Sequence, residues 1–437
     1  MKRTSTIFAL SSGSLPSGVA VVRISGARAA GAVDALCGAL PRPRRLSLRQ
    51  LLAEDGGVID RGLVAFFPAP DSFTGEDCAE FHVHGGRAVV AALLARLGGL
   101  PDLRQAEAGE FTRRAFLNGR LDLTAAEALS DLVAAETEAQ RRLAAVNADG
   151  RQRALYAGWR SRLLHARAMI EAELDFSDEG DVPGSVAAAV WADVAALRAG
   201  MESHLAGFRA AEIVREGFRV AIAGAPNVGK SSLLNYLAGR DVAIVSAEPG
   251  TTRDVLEVAL DLGGVKVILA DTAGLREEAG PVEAMGIERA RGAAASADLV
   301  LLLEDMTDPR RVDVPGDAPM LRIGTKLDLA HGAAKRYDCE ISTVSGAGIG
   351  SLLSEIGARA GAQAEAAEAG PVPTRQRHVD LLESAIAGLS EALDATRELE
   401  LRGEGLRTAA DDVGRVSGAI DAEEILGAIF STFCIGK

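Results

Sequence analysis

Cysteine is scarce in this 437-residue chain, which has four, widely spaced and without a C-x-x-C pair. This usage predicts a reducing compartment and argues against a structural zinc site. Long apolar runs are missing as well. No stretch is long enough to span a bilayer, and the segment from Met1 to Leu10 lacks the apolar core of a signal peptide. We therefore expect a soluble, cytoplasmic protein without a membrane partner.

Positive charge is in deficit, with 47 basic against 61 acidic residues and a net charge of −14. This balance argues against bulk electrostatic binding of nucleic acid, so any RNA contact must use a local basic patch. The run PRPRRLSLRQ, from Pro41 to Gln50, is one such patch, although a solvated loop is the favoured interpretation. The chain length predicts two or three domains with an ample core.

A glycine-rich segment, GAPNVGKSS, runs from Gly224 to Ser232 and fits the pattern G-x-x-x-x-G-K-[ST]. It follows an apolar strand pattern at Phe218 to Ala223 and opens into a helical pattern, which is the context of a phosphate-binding loop. The glycines let backbone N–H groups approach the phosphates, and the helix N-terminus adds its dipole. Lys230 supplies a charge for the β and γ phosphates, and Ser231 offers a hydroxyl to Mg²⁺.

Two further boxes follow in the order that a guanine-nucleotide switch needs: DTAG, which begins at Asp271, and TKLD, which begins at Thr325. Asp271 ends an apolar strand, where its carboxylate can hold the hydration shell of the metal. Gly274 gives a hinge that senses the γ-phosphate. Asp328 can accept hydrogen bonds from guanine N1 and the exocyclic amine. Thr325 replaces the usual Asn, and we expect the preference for guanine to survive.

Three residues bear on how hydrolysis is activated. Leu275 stands where a Ras-like switch carries a water-positioning Gln, so another group must orient the water. Asn227 is a neutral oxygen donor suited to a monovalent cation in the place of an arginine finger. Glu283 is a candidate to orient the attacking water. From residue chemistry alone, a solvated switch-loop residue is an equal alternative for Asn227 and Glu283.

Several blocks along the chain resemble the MnmE (TrmE) family, the GTPases of wobble-uridine tRNA modification. In the C-terminal two-thirds they are AIVSAEPGTTRD (243–254), DTAGLREEAGPVEAMGIERA (271–290) and CIGK (434–437). Nearer the N-terminus they are GVAVVRISG (18–26), FTGED (73–77) and GEFTRRAFLNGRLDLTAAEAL (109–129). The likeness covers the whole chain, including parts that small GTPases do not possess.

The resemblance implies a multidomain α/β and α protein. An N-terminal α+β domain (1–118) serves formyl-tetrahydrofolate binding and dimerisation. A discontinuous helical domain follows in two parts, 119–215 and 362–437, the second of which carries the CIGK tail. A P-loop GTPase domain with a doubly wound sheet (216–361) is inserted between the two parts. Periodicity agrees with this organisation. It predicts strands at 19–24, 58–67 and 79–83, a helix at 88–97, helices from 124 to 212 with a break near 178–184, a linker at 360–370, and helices from 374 onward.

The resemblance also implies a set of nucleotide and ion ligands. The residues expected at GTP are Asn227, Val228, Gly229, Lys230, Ser231, Ser232, Ser246, Thr251, Thr252, Asp271, Thr272, Ala273, Gly274, Thr325, Lys326, Asp328, Ser342 and Thr343. Mg²⁺ is expected at Ser231 and Thr252, and K⁺ at Asn227, Ser246, Glu248 and Thr251. Glu283 falls at the position of the family's catalytic glutamate.

A second site is implied for 5-formyl- or methylene-tetrahydrofolate. Its residues are expected to be Arg23, Glu80, Arg120, where family members also carry Lys, and Lys437. The alternative for Arg23 and Glu80 is an ordinary pair of surface charges. Cys434 is a further catalytic candidate on a tail expected to be mobile, although a Cys beside apolar residues is more commonly inert and buried. The pair His82 and His84 is assigned to the fold rather than to a metal.

The resemblance implies three partners. A second copy of the chain binds through the N-terminal domain, and tRNA is the substrate. The flavoprotein MnmG (GidA), which uses FAD and NADH, joins in a heterotetramer or larger complex. One rival reading is an Era- or Der-like assembly GTPase that binds ribosomal RNA and modifies nothing. The absence of a KH-like GXXG segment and the presence of CIGK argue against it. A second rival, prompted by Thr325, is a folate-binding protein with a vestigial GTPase module.

Overall fold

The computed structural model describes residues 5–175, 185–240, 242–244, 257–271, 297–310, 312, 318–330, 337–368, 370–420, 423–431 and 433–436. The chain divides into two compact units. Unit 1 comprises residues 1–130, 153–161 and 410–437, and unit 2 comprises residues 131–152 and 162–409.

The strands of the described residues are β1 (Thr6–Leu10), β2 (Ser17–Ser25), β3 (Ser47–Leu52), β4 (Val58–Phe67), β5 (Cys78–Gly85), β6 (Leu103–Gln105), β7 (Phe218–Gly224), β8 (Glu257–Leu262), β9 (Val265–Asp271), β10 (Leu299–Asp305), β11 (Met320–Thr325) and β12 (Cys339–Glu340). The helices are α1 (Ala29–Cys37), α2 (Arg87–Gly98), α3 (Glu110–Leu117), α4 (Leu123–Ala134), α5 (Glu138–Ala148), α6 (Arg151–Asp175), α7 (Ser185–Leu205), α8 (Phe208–Glu216), α9 (Lys230–Ala238), α10 (Ile349–Ala364), α11 (Gln376–Leu393), α12 (Leu399–Ser417) and α13 (Glu423–Ser431).

Unit 1 contains a six-stranded sheet in the order β3-β4-β5-β2-β1-β6, antiparallel except for the β1–β6 pair. Its strands bury one face because apolar residues alternate with polar ones. In β2, Ala20, Val22 and Ile24 are fully buried, whereas the side chain of Arg23 points to the opposite face. Helices α1 and α2 pack against the sheet, and the core lies between them. The predicted α+β character of this part is confirmed.

Unit 2 contains a second six-stranded sheet in the order β12-β11-β10-β7-β9-β8. All neighbouring strands are parallel except the β8–β9 pair. Strand β7 is apolar and largely buried except at the exposed Arg219, and β10 begins with five consecutive apolar residues, as expected because parallel strands are buried on both faces. The first strand of this sheet, β7, lies between β9 and β10, so its carboxyl end opens at the point where the strand order reverses. The predicted α/β class is confirmed for this part.

Two local predictions were wrong. Residues 47–50 of the basic run form part of β3 rather than a solvated loop, because Leu48 pairs in register with Leu63 of β4. The predicted linker at 360–370 is helical over most of its length: α10 continues to Ala364 and a 3₁₀ turn follows at Glu365–Glu368. Alanine is the strongest helix former, and Ala360 and Ala364 are buried in the core. The predicted break at 178–184 lies outside the described residues.

In the described part of the chain, no helix combines the length and the apolarity that crossing a bilayer requires.

Two histidines of unit 2 are buried together where α7 packs against α11. His204 of α7 is 9% exposed, and His378 of α11 is fully buried and accepts a hydrogen bond at Nδ1 from the backbone N–H of Thr374 (3.4 Å). Burial, reinforced by the neighbouring His378, lowers the pKa of His204 from 6.5 to about 4, against the opposing effect of the Pro371 carbonyl. The folded state therefore holds His204 neutral.

We expect the stability of unit 2 to fall as the pH drops from 6.5 towards 4. In this window the unfolded chain protonates His204 and the folded chain does not, so unfolding takes up a proton and stability rises with pH. The contribution of this residue is about 2 kcal/mol between pH 7 and pH 5. Urea unfolding at the two pH values measures it in the wild type and in His204→Gln. Equal pH dependence in both proteins would contradict the assignment.

Candidate functional site

The phosphate-binding loop lies at the carboxyl end of β7 and leads into α9. Gly224 has φ +150°, and a Cβ atom there would lie 2.6 Å from the carbonyl oxygen of Leu303, so only glycine fits this approach to β10. Gly229 caps the N-terminus of α9 in a left-handed conformation. Asn227, with φ +62°, is exposed on the turn between them. The predicted strand, loop and helix therefore occur in that order around these residues.

Lys230 and Ser231 open α9 as the chemistry of a phosphate site requires. The Nζ atom of Lys230 lies 3.0 Å from the carbonyl oxygens of both Gly224 and Ala225, which hold the ammonium group over the loop. The Oγ atom of Ser231 lies 3.5 Å from Oδ2 of Asp271, at the end of β9. Asp271 is 3% exposed. A hydroxyl at a helix N-terminus and a carboxylate at a strand end suit Mg²⁺, which keeps several waters and shares the phosphates of a nucleotide.

The base-recognition loop follows β11. Ser342 Oγ donates to Oδ1 of Asp328 at 2.5 Å and accepts hydrogen bonds from the backbone N–H groups of Val344 and Ser345. Ser342 is fully buried, so it holds the Asp328 carboxylate in one orientation. Thr343, the neighbouring predicted residue, is half-buried. An oriented carboxylate can accept from two adjacent donors on one edge of a base.

Within this loop, the side chain of Lys326 contacts the end of β10. Its Nζ atom lies 2.5 Å from Oδ2 of Asp305, and Oδ1 of the same carboxylate accepts from the hydroxyl and the backbone N–H of Thr307. Burial alone would raise the pKa of Asp305, but the hydrogen bonds from Lys326 and Thr307 outweigh it and lower the pKa to about 2. The Asp305 carboxylate is therefore charged at neutral pH and holds the ammonium group of Lys326, a residue of the base loop.

The structure brings part of the predicted nucleotide site together. The loop 227–232, Asp271 and the base loop 325–328 all lie at the carboxyl edge of one sheet, since β7, β9 and β11 run parallel. Nine further residues predicted for the nucleotide, ion, catalytic and folate sites lie outside the described ranges. They are Ser246, Glu248, Thr251, Thr252, Thr272, Ala273, Gly274, Glu283 and Lys437.

In unit 1, the two residues predicted for folate binding face each other on neighbouring strands. Arg23 of β2 pairs in register with Glu80 of β5, and both Nε and Nη2 of Arg23 lie 3.0 Å from Oε1 of Glu80. The guanidinium carbon of Arg23 lies 5.1 Å from the ring centre of Phe73 and 5.9 Å from that of Phe111. Nη1 of Arg120, the third residue predicted for this site, lies 3.8 Å from Oδ1 of Asp71.

The two histidines that the sequence analysis assigns to the fold each contact a carboxylate. Nε2 of His82 lies 3.3 Å from Oε2 of Glu80, and Nδ1 of His84 lies 2.8 Å from Oδ1 of Asp60. Among the described residues, no group of three His, Cys, Asp or Glu side chains is arranged to hold a metal.

Sequence reasoning missed a polar network under the FTGED loop. Ser25 and Arg114 both hydrogen-bond the carboxylate of Glu76, at 2.7 and 3.0 Å, and Arg114 also bonds Glu110 at 3.0 Å. Thr74 bonds Ser25 at 2.6 Å. The blocks FTGED and GEFTRRAFLNGRLDL supply most of these residues. In the sequence, the only sign of the network is that both blocks occur in the same chain.

The C-terminal tail, expected to be mobile, is tied to the rest of unit 1. Ile435 forms an isolated β-bridge with Ala108, and Ser11 Oγ donates to the carbonyl oxygen of Gly436 at 2.8 Å. Gly436 has φ +100°, and a Cβ atom there would lie 2.1 Å from the carbonyl oxygen of Leu10. Cys434 is nevertheless exposed. The tail thus presents its thiol at the surface from a backbone held by these contacts, which excludes a buried side chain.

Comparison with known proteins identifies the family of this chain. The family profile described as the MnmE helical domain matches residues 123–434, and the profile described as the GTP-binding protein TrmE N-terminus matches residues 6–120. Proteins named tRNA modification GTPase MnmE from Mesorhizobium japonicum and Chelativorans sp. are 60% and 58% identical to this chain over 440 and 435 residues. The alignments cover 99% of this chain in both cases, and 99% and 98% of the two relatives.

Among solved structures, the G domain of the T. maritima FeoB iron transporter is 26% identical, with a TM-score of 0.24, and is matched over 33% of this chain and 98% of that chain. The Era protein of Aquifex aeolicus is 24% identical, with a TM-score of 0.25, over 41% of this chain and 68% of that chain. The family assignment rests on the profiles and the full-length relatives. The chain belongs to the MnmE (TrmE) family of tRNA modification GTPases.

Proposed function

We propose that this chain hydrolyses GTP in a K⁺-dependent cycle and, with a flavoprotein of the MnmG (GidA) kind, modifies tRNA in the cytoplasm. The product is an aminomethyl or carboxymethylaminomethyl group at carbon 5 of the wobble uridine. The proposed binding and hydrolysis of GTP is supported by the placement of Lys230, Ser231 and Asp328 at one edge of one sheet. Such an edge offers phosphate and guanine recognition together.

Hydrolysis of GTP requires charge neutralisation and an oriented water. Lys230 binds the β and γ phosphates, and Ser231 and Thr252 would hold Mg²⁺, with Asp271 at its hydration shell; the metal would neutralise charge on the phosphates. Asn227 offers a side-chain oxygen to K⁺ from the exposed turn of the loop. Glu283 orients the attacking water, in the role that Leu275 cannot fill.

Replacing K⁺ by Na⁺ is expected to lower the rate of GTP hydrolysis, and Glu283→Ala is expected to lower it on the order of a hundredfold. Both changes remove groups that act on the developing charge or on the water, while Lys230 still binds the phosphates. Phosphate release at matched ionic strength measures both effects. A full rate in Na⁺ would overturn the K⁺ assignment, and a full rate in Glu283→Ala would overturn the role of that glutamate.

The second site binds a formyl- or methylene-tetrahydrofolate as the source of the one-carbon unit. Glu80 pairs with the donor edge of the pterin ring, and Arg23 suits a ring carbonyl or a glutamyl carboxylate. The contacts of Arg23 with the rings of Phe73 and Phe111 orient the guanidinium beside an aromatic surface. Arg120 and Lys437 complete the proposed ligand set. The exposed thiol of Cys434 takes part in the modification.

Arg23→Ala is expected to weaken the binding of 5-formyltetrahydrofolate by about tenfold or more, because it removes a charge-assisted donor. Calorimetric titration measures the affinity. His84→Gln is the matched control: His84 lies on β5, the neighbouring strand that carries Glu80, its side chain is largely exposed, and its ring contacts Asp60 instead of the folate pair. Wild-type affinity in Arg23→Ala would move the folate site elsewhere.

The chain acts as a homodimer through unit 1. Leu48 and Leu63 pair in register on β3 and β4, and their side chains are 52% and 40% exposed. Neighbouring large apolar side chains on solvent-exposed strands favour a contact with a second copy. Analytical sedimentation compares the wild type with the double variant Leu48→Glu, Leu63→Glu. A monomeric double variant would support this surface as the dimer interface, and an unchanged dimer would contradict it.

The modification half is tested by mass spectrometry of wobble-uridine nucleosides in tRNA from cells that lack the gene. We expect the 5-aminomethyl-type derivatives to disappear and the intact gene to restore them, whereas Cys434→Ser does not. Unchanged nucleosides in the deletion strain would contradict the proposal. An assembly GTPase that binds RNA without modifying it would then be the better account of the nucleotide site.

A further inference from the structure

The hydroxyl group of Thr325 is committed to the protein backbone. Thr325 is 5% exposed, and its Oγ1 lies 2.8 Å from the carbonyl oxygen of Val228 and 3.2 Å from that of Glu304. Val228 belongs to the phosphate-binding loop, and Glu304 lies near the end of β10. A hydroxyl has one proton, for which these two acceptors compete. No proton is left for a ligand.

We infer that Thr325 is a positioning residue that fastens the base-recognition loop to the phosphate-binding loop and does not itself read the base. The inference rests on the proposed binding of guanine nucleotides. An Asn side chain at this position has two N–H donors and one acceptor, so it can bond to the protein and still donate to a base. Threonine has a single donor, and the distances show where it goes.

The consequence for specificity concerns the N7 atom of guanine. N7 is an acceptor on the edge opposite to N1 and the exocyclic amine, so only a donor can recognise it. Asp328 is a carboxylate and serves the N1 edge, where Ser342 orients it at 2.5 Å. Residue 325 therefore contributes nothing to recognition of N7, and selection of guanine rests on Asp328.

The consequence for affinity concerns the phosphate-binding loop. Val228 is 2% exposed, so loss of the hydroxyl leaves its carbonyl oxygen buried without this donor. The backbone of Thr325 is fixed independently, because β11 pairs with β10 in register and the N–H of Met306 donates to the carbonyl oxygen of Thr325 at 3.2 Å. The loss therefore loosens the tie between the two loops without dismantling the strand.

The test compares GDP with 7-deaza-GDP, in which a C–H replaces N7, on the full-length chain. The proteins are the wild type, Thr325→Val, Thr325→Ser and the control Thr396→Val, which removes an exposed hydroxyl that donates to Asp394 in its own turn. We expect Thr325→Val to bind both nucleotides about tenfold more weakly. Its ratio of the two affinities should equal that of the wild type. Thr325→Ser and Thr396→Val should bind both nucleotides as the wild type does.

Two outcomes would overturn the inference. Wild-type affinities in Thr325→Val would show that the tie does not support the site. A loss of affinity for GDP but not for 7-deaza-GDP would show that the hydroxyl reads N7. If Thr325→Val fails to fold, Thr325→Ala removes the same donor with the same expected pattern. A wild type that binds neither nucleotide would instead reject the proposed GTPase function, so the two failures are distinguishable.

Discussion

Replacement of Asp328 by asparagine is expected to lower the affinity for GTP by about a hundredfold and to create affinity for xanthosine triphosphate. The carboxylate accepts two charge-assisted hydrogen bonds from guanine, each worth about 1.5–3 kcal/mol. An asparagine presents a donor where the exocyclic amine of guanine also donates, so the pair repels. Xanthine carries an oxygen in place of that amine and accepts from the asparagine. Ser342, which donates to Asp328 at 2.5 Å, can donate to the asparagine oxygen as well, so the loop keeps its shape.

Competition of GTP and xanthosine triphosphate against a fluorescent nucleotide measures the exchange of specificity. Asp308→Asn is the matched control, because Asp308 is an exposed residue just beyond β10 that pairs with Arg310 rather than with the base loop. The control should keep the preference for GTP. If Asp328→Asn still prefers GTP, the base is recognised by other residues, and the assignment of the 325–328 loop is wrong.

The phosphate-binding loop was predictable because its determinants are neighbours in sequence. About fifteen consecutive residues contain all three determinants: an apolar strand, glycines at fixed spacing and the start of a helix. The partner of the Thr325 hydroxyl was not predictable in this way. It lies 97 positions earlier in the chain, and the contact depends on the register of β11 against β10 and of β10 against β7. The substitution was visible in the sequence, but what it does was not.

The N-terminal part shows the same limit. The alternation in β2, β4 and β5 predicted three strands, but β3 was missed because its partner, β4, is needed to recognise it. Arg23 and Glu80 are 57 positions apart, and only the sheet register places them opposite each other. The resemblance named both residues. Their mutual contact, and the network around Glu76 and Arg114, required the structure.

Gly436→Ala is expected to reduce wobble-uridine modification on the order of a hundredfold while leaving GTP hydrolysis intact. The new Cβ atom would lie 2.1 Å from the carbonyl oxygen of Leu10 in a backbone conformation that suits only glycine. The tail must therefore shift, and it loses the hydrogen bond from Ser11 and the bridge to Ala108. Cys434, two residues earlier, shifts with it. A displacement of about 1 Å suffices to misplace a reacting group.

Nucleoside mass spectrometry of tRNA from complemented deletion strains measures the effect, and phosphate release from the purified protein measures GTP hydrolysis. Gly427→Ala is the control from the same terminal segment. Gly427 is exposed on α13, and an added Cβ there meets no atom within 4 Å, so alanine should be neutral or slightly stabilising. We expect Gly436→Ala and Cys434→Ser to share a loss of modification that Gly427→Ala does not show. This result would show that the tail positions the thiol. Full modification by Gly436→Ala would contradict that role, because a thiol that tolerates displacement of its backbone does not depend on the docked position.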